Sequence, residues 1–170
     1  YKYYSFPFMF FGLFISSHWN AFIDALAKED FLWIKGKILL FKKLLLLVML
    51  SYVFIYFLEK KLLWFWVGKE NIKIDPTMSV NMILYFLISS YTTIYMYVIN
   101  AYGKLYIQLL GYVIITIINI PLSIFLAKYL NIGASGIILA SSICLLILLI
   151  IIPIQYKKIM THKISGIWNK

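Results

Sequence analysis

Arginine is absent from this 170-residue sequence, and acidic residues are few. All sixteen basic residues are lysines, set against six acids, which gives a formal net charge of +10. Nucleic-acid-binding domains cluster their basic residues on one face, whereas these lysines fall between long apolar runs. We therefore expect no nucleic-acid partner, and we interpret the lysines as charges that orient membrane spans.

Residues suited to covalent or metal chemistry are almost as scarce. Cys144 is the single cysteine, which excludes an intramolecular disulfide. It lies in an apolar run, and this indicates a small core residue. His18 and His162 have no second histidine or cysteine at ligand spacing, so no metal site is predicted. The sequence also lacks a glycine-rich phosphate loop and a pair of acids placed for a cleft. We expect no catalytic residue, no cofactor and no enzymatic activity.

Apolar residues, in contrast, make up 64% of the chain, far above the roughly 45 to 50% of globular proteins. About 20 helical residues cross the ~30 Å of hydrocarbon in a bilayer. The sequence predicts an all-α integral membrane bundle of five spans, the second of them short and flanked by lysine pairs. These spans lie at about 3–23, 44–58, 78–99, 105–127 and 134–156.

The segments between the spans differ in kind. We expect 24–43 to be a cytoplasmic connector that runs along the inner membrane surface. The stretch 62–77 is predicted to be an interfacial turn, broken by Gly68, with Pro76 opening the next helix. The first apolar run starts almost at residue 1, without a charged leader, and this predicts a piece of a longer membrane protein and no signal peptide.

Lysine counting predicts the orientation. Ten of the sixteen lysines lie on the inner side if the tail 157–170 is cytoplasmic, and six lie on the outer side. Four tryptophans fall just beyond predicted span ends, as an interfacial aromatic belt requires. They are Trp33, Trp64, Trp66 and Trp168.

Polar residues within the spans are the informative ones. Ser16, Asn20 and Asp24 are four residues apart, so on one helix they share a face. That face meets either water or another polar surface. Asp24 fits a solvated helix end, or alternatively a role in ion coupling or substrate contact.

A longer polar stripe follows the fourth span. Its residues are spaced by four, four, three and four positions: Gln108, Tyr112, Thr116, Asn119 and Ser123. An unpartnered amide in hydrocarbon costs a few kcal/mol, so the stripe either hydrogen-bonds to neighbouring helices or lines a water-filled cavity. Pro121 predicts a bend that can act as a hinge, or one that only serves packing. On the last span, Gly136, Ala140 and Cys144 form a small-residue face that predicts close helix packing.

Several of these motifs, in order, resemble the C-terminal half of the Wzx-type polysaccharide flippases. These belong to the superfamily that includes the multidrug and toxic compound extrusion transporters. The first motif resembles the family's pattern at Trp19, Ala21, Asp24, Ala25, Lys28 and Asp30, followed by Trp33, Ile34 and Lys35. The later ones are Asn100, Gly103 and Lys104, then NIPLS at 119–123, GASG at 133–136, and the endings PIQYKK and GIWNK.

The resemblance implies twelve helices in two six-helix lobes around a central cavity, with this chain supplying the last five. It implies export of a lipid-linked oligosaccharide across the bacterial inner membrane by alternating access, with membrane lipid and the missing N-terminal lobe as partners. We assign Asn20, Asp24, Gln108, Thr116 and Asn119 to the substrate pathway. The alternatives are a drug or cation antiporter of the same fold, and a membrane-embedded glycan polymerase or ligase.

Overall fold

The computed structural model describes residues 1–68 and 75–169, and every regular element within those ranges is a helix. An all-α fold is therefore confirmed for this part of the chain. The elements in chain order are α1 (Lys2–Ser16), α2 (Trp19–Ala27), α3 (Phe31–Val67), α4 (Pro76–Tyr102), α5 (Tyr106–Ile124), a π-helical turn (Phe125–Tyr129), α6 (Ala134–Met160) and a short 3-10 turn (Gly166–Asn169).

The first predicted span, 3–23, is broken. A bend of 40° separates α1 from α2. At the break, Ser17 Oγ donates to the carbonyl of Phe14 at 2.7 Å, and His18 Nδ1 lies 3.1 Å from the same oxygen. Side chains that bond to a carbonyl of the preceding turn bend helices. The predicted common face is consequently interrupted, because Ser16 ends α1 whereas Asn20 and Asp24 lie on α2.

Residues 31–43 of the predicted connector 24–43 and the predicted short span 44–58 lie on the same helix, without a break between them. The chain forms one continuous helix, α3, of 37 residues, about 55 Å long. Asp30 caps its start by accepting a hydrogen bond from the Trp33 backbone N–H at 3.0 Å. Residues 31–43 contain no proline and mostly good helix formers, so nothing stops the helix before the apolar run.

The other predicted spans lie within helices of the structure. The spans 78–99 and 134–156 fall inside α4 and α6, and 105–127 corresponds to α5 with the start of the π-helical turn. Pro76 opens α4, as predicted, but residues 62–67 of the predicted interfacial turn continue α3, which Gly68 ends at φ 68°. The rest of the predicted interfacial turn, 69–74, lies outside the described residues.

Among the described residues, four helices are long and apolar enough to cross a membrane, consistent with a multi-pass membrane protein: α3, α4, α5 with its π-helical turn, and α6. The bent pair of α1 and α2 makes a fifth if it counts as one span.

The bundle is organised around α4, which packs against α1, α2, α3 and α6. Helix α5 packs chiefly on α6. The small-residue face of α6 is closely packed, as predicted: Ala140 and Cys144 are buried, and a Cβ added to Gly136 would lie 2.9 Å from the backbone carbon of Leu126. This contact holds α6 against the π-helical turn.

Candidate functional site

The polar stripe of α5 divides into two sections with different surroundings. Asn119 and Ser123 form the packed section. There the Asn119 amide nitrogen donates to Ser141 Oγ of α6 at 3.0 Å. Ser123 Oγ donates to the Asn119 amide oxygen at 3.2 Å. Both polar atoms of the Asn119 side chain therefore have protein partners, and one of them joins two helices.

The other section, Gln108, Tyr112 and Thr116, lines an open groove of about 790 Å³. One wall is α5, and the others are Asn100 near the end of α4 and Trp19 at the start of α2. We call this the polar groove. Its lining residues are Trp19, Asn100, Leu105, Gln108, Leu109, Tyr112, Val113, Thr116 and Ile117.

Two amide oxygens in the polar groove residues lack a protein partner. The side-chain oxygens of Asn100 and Gln108 are both buried without a hydrogen bond from any described residue. A buried acceptor without a donor costs roughly 1–3 kcal/mol. Such groups often belong to functional sites, because a ligand that brings its own donors relieves the cost.

The remaining polar lining consists of hydroxyl and aromatic groups. Thr116 Oγ1 donates to the carbonyl of Tyr112 at 2.9 Å and leaves its oxygen lone pairs available as acceptors. Tyr112 OH points toward α4, where it lies 3.7 Å from Met96 Sδ. Trp19 is held by an edge contact with Tyr97, at a ring distance of 5.9 Å. No lysine, histidine or carboxylate is among the described lining residues. The groove is accordingly uncharged, with its polar groups set among four aliphatic side chains.

Asn20 and Asp24 do not line the polar groove. Both are exposed on α2, and the Asp24 carboxylate accepts from Lys28 Nζ at 2.8 Å, with both side chains well exposed. This hydrogen bond, reinforced by charge attraction, raises the pKa of Lys28. The arrangement fits the solvated helix end better than the pathway role.

Pro121 lies inside α5, and the helix continues through it to Ile124. The departure from α geometry comes one turn later, where the Leu130 N–H donates to the carbonyl of Phe125, five residues back, at 3.2 Å. The hinge role of Pro121 stays a prediction, with the π-helical turn as a second irregular point beside it.

Sequence reasoning missed two residues of the polar groove. In the sequence, Trp19 appears only as part of a motif, although it precedes Asn20 by one position. Asn100 belongs to a predicted loop motif, but the structure places it in the last turn of α4, just before the loop shaped by Gly103 at φ 82° and by Gln155, whose amide donates to the Lys104 carbonyl at 2.8 Å. The stripe's spacing could not find either one, since both lie on other helices.

A carboxylate cluster was also missed. Glu59 on α3 accepts hydrogen bonds from Tyr4 of α1 and Ser79 of α4, both to the same oxygen, Oε2, and both at 2.7 Å. The signal in the sequence is only that Glu59 follows an apolar run directly. Three helices thus meet at one acid.

No protein-family model, curated protein or solved structure matches the chain.

Proposed function

We propose that this chain is part of a transporter that moves a lipid-linked oligosaccharide across the bacterial inner membrane by alternating access, without covalent chemistry. The observation that carries the proposal is the polar groove: an uncharged cleft of about 790 Å³ lined by two amides, a hydroxyl, two aromatic rings and four aliphatic side chains, in a bundle of membrane-type helices.

The chemistry of the groove suits a sugar. Oligosaccharides carry many hydroxyl groups, each of which donates and accepts, together with apolar C–H faces. The amides of Asn100 and Gln108 supply hydrogen-bonding groups, and the side chains of Trp19 and Tyr112 supply flat aromatic surfaces with a polar edge. A charged drug or an inorganic ion has no opposite charge to meet among these residues.

The surface of α5 supports a larger assembly. In the most apolar 18-residue stretch of Tyr106–Tyr129, only 11% is buried within the chain. Most of this helix is therefore available to lipid or to further helices. In the proposed transporter, α1 with α2 forms a fifth span, and the five spans belong to a six-helix lobe. A second lobe of the same protein closes the polar groove into a cavity, with Pro121 as a hinge and the C-terminal tail in the cytoplasm.

A second candidate function is ion-coupled antiport, which the Glu59 cluster favours. A carboxylate held by Tyr4 and Ser79 from two other helices can change its partners when it binds a cation. In that candidate, the helices meeting at Glu59 change their packing with each transport cycle.

The decisive experiment is export of a labelled lipid-linked glycan by cells that depend on the complete protein. Asn100→Leu and Gln108→Leu together are expected to reduce export about tenfold or more, with membrane protein level unchanged, because the sugar loses two amide partners.

The control is Ile114→Leu, an exposed position of α5 outside the polar groove. Normal glycan export by the double variant would refute the proposal. Loss of drug efflux in place of glycan export would favour the antiporter.

A further inference from the structure

A second groove lies on another face of the bundle, between α3 and α6. Its volume is about 460 Å³, and three lysines contribute to its lining: Lys35 and Lys42 from α3, and Lys157 from α6. Tyr95 of α4 and Tyr156 of α6 also line it. We call this the lysine groove.

The three lysines carry charge that the described acids do not neutralise. The one ion pair among the described residues is Asp24–Lys28, and no carboxylate lines the lysine groove. Lys42 Nζ lies 5.5 Å from the centre of the Tyr95 ring, a cation–π contact that leaves its ammonium hydrogens available. The groove is therefore a cationic site whose lining includes two aromatic side chains.

Its position suits a membrane lipid. Lys35 and Lys42 are seven residues apart, two turns on one face of α3, about 10 Å along the axis. Ile38 and Leu39 lie between them and also line the groove, as does Pro153 of α6. A ligand here meets ammonium groups at two depths and apolar side chains between them, which matches a phosphate headgroup joined to acyl chains.

We propose that the lysine groove binds the phosphate group of an anionic membrane lipid, as a site separate from the polar groove. The lysines hold the phosphate, and the apolar strip of α3 contacts the upper acyl chains. The site does not depend on which substrate the polar groove takes, and its test uses lipid retention and not transport.

The experiment measures the lipids bound to the purified full chain. The protein is reconstituted in nanodiscs of phosphatidylcholine with a minor share of phosphatidylglycerol, then released and examined by native mass spectrometry. The wild type should retain phosphatidylglycerol in preference. Replacing Lys35, Lys42 and Lys157 with Gln should lower that enrichment about tenfold or more, because each of the three lysines attracts the anionic headgroup and the three contributions add.

Two matched variants control for total charge and for folding. The triple change of Lys37, Lys43 and Lys163 to Gln removes the same charge from the same end of the bundle and should retain the lipid. The triple change of Lys35, Lys42 and Lys157 to Arg keeps the charge at the lysine groove and should also retain it.

Three outcomes would overturn the proposal. Equal loss in both Gln variants would show a diffuse surface charge effect. Failure of the Arg variant to retain lipid while its melting temperature equals that of the wild type would show that cationic phosphate binding is not the cause. Displacement of phosphatidylglycerol by inorganic phosphate at comparable concentration would show a site for free phosphate and not for a lipid.

Discussion

The two sections of the α5 stripe are chemically alike but differ in what lies opposite them. Gln108 and Asn119 are both amides on one face of one helix. Opposite Asn119, α6 presents Ser141 at hydrogen-bonding distance. Gln108 instead shares the polar groove with Asn100 from the end of α4, and the oxygens of both amides have no donor among the described residues. Periodicity identifies the residues that share a face, and only the neighbouring helix decides between packing and recognition.

The largest effect is expected from breaking the close packing beside the packed section. A Cβ added to Gly136 would lie 2.9 Å from the Leu126 backbone carbon and 3.1 Å from the Ala127 nitrogen. Backbone cannot move aside as a side chain can, so Gly136→Ala should destabilise the protein by about 1–3 kcal/mol.

The matched control is Gly111→Ala on the side of α5 that faces α6, where the new atom would lie 2.6 Å from Leu148 Cδ2, the end of a flexible side chain that can move aside. Thermal denaturation in a fixed detergent compares them. A larger loss of stability for Gly111→Ala than for Gly136→Ala would contradict the expectation that a backbone contact tolerates a new atom less well than a side-chain contact.

The next effect is expected at Asn119. Asn119→Leu removes the bond to Ser141 and should lower stability by roughly 0.6–2 kcal/mol. Export per folded molecule should stay normal, because this side chain does not line the polar groove. This expectation departs from the pathway role assigned from spacing. Measuring melting temperature and glycan export on the same preparations tests it, and unchanged stability with reduced export would restore the pathway role.

A smaller effect on stability, with the opposite consequence for function, is expected at Gln108. Since its side-chain oxygen has no described partner, Gln108→Leu should leave stability within about 0.5 kcal/mol or raise it. Glycan export should nevertheless fall severalfold, because one groove amide is lost. The same paired assay as for Asn119 sharpens the comparison. A stability loss as large as that of Asn119→Leu would mean that both sections only pack helices.

The smallest effect is expected at Thr116. Its hydroxyl already donates to the carbonyl of Tyr112 in its own helix, so Thr116→Val removes an acceptor from the polar groove but no contact between helices. Stability should change by less than about 0.5 kcal/mol, and export should fall twofold at most. Dose–response curves for glycan export resolve such a change. A tenfold loss would place Thr116 at the centre of the recognition site.

The sequence predicts the fold best where one property decides it. Helices α4 and α6 follow from apolar run length and from Pro76, Gly103 and Gly133, because these control where a helix begins and ends. The length of the apolar run does not predict the bounds of α3, because hydrophobicity indicates which residues contact lipid but not where a helix begins or ends.

The site divides in the same way. Spacing along one helix places Gln108 and Thr116 together, and the polar groove contains both. The sequence does not predict the roles of Trp19, Asn100 and the Glu59 cluster, because each role depends on how separate helices approach one another. That approach is set by the whole core, including the fit of Gly136 against the π-helical turn.

The length of α3 has a mechanical consequence. A rod of about 55 Å exceeds a hydrocarbon layer of ~30 Å by roughly 25 Å. Tilting such a rod by about 10° displaces its two ends by roughly 10 Å relative to each other. Because α3 is continuous from Phe31 to Val67, its ends move as one lever. The Glu59 cluster ties one arm of this lever to α1 and α4, and the lysine groove lies on the other arm, so we expect a movement of one arm to displace the other in the opposite direction.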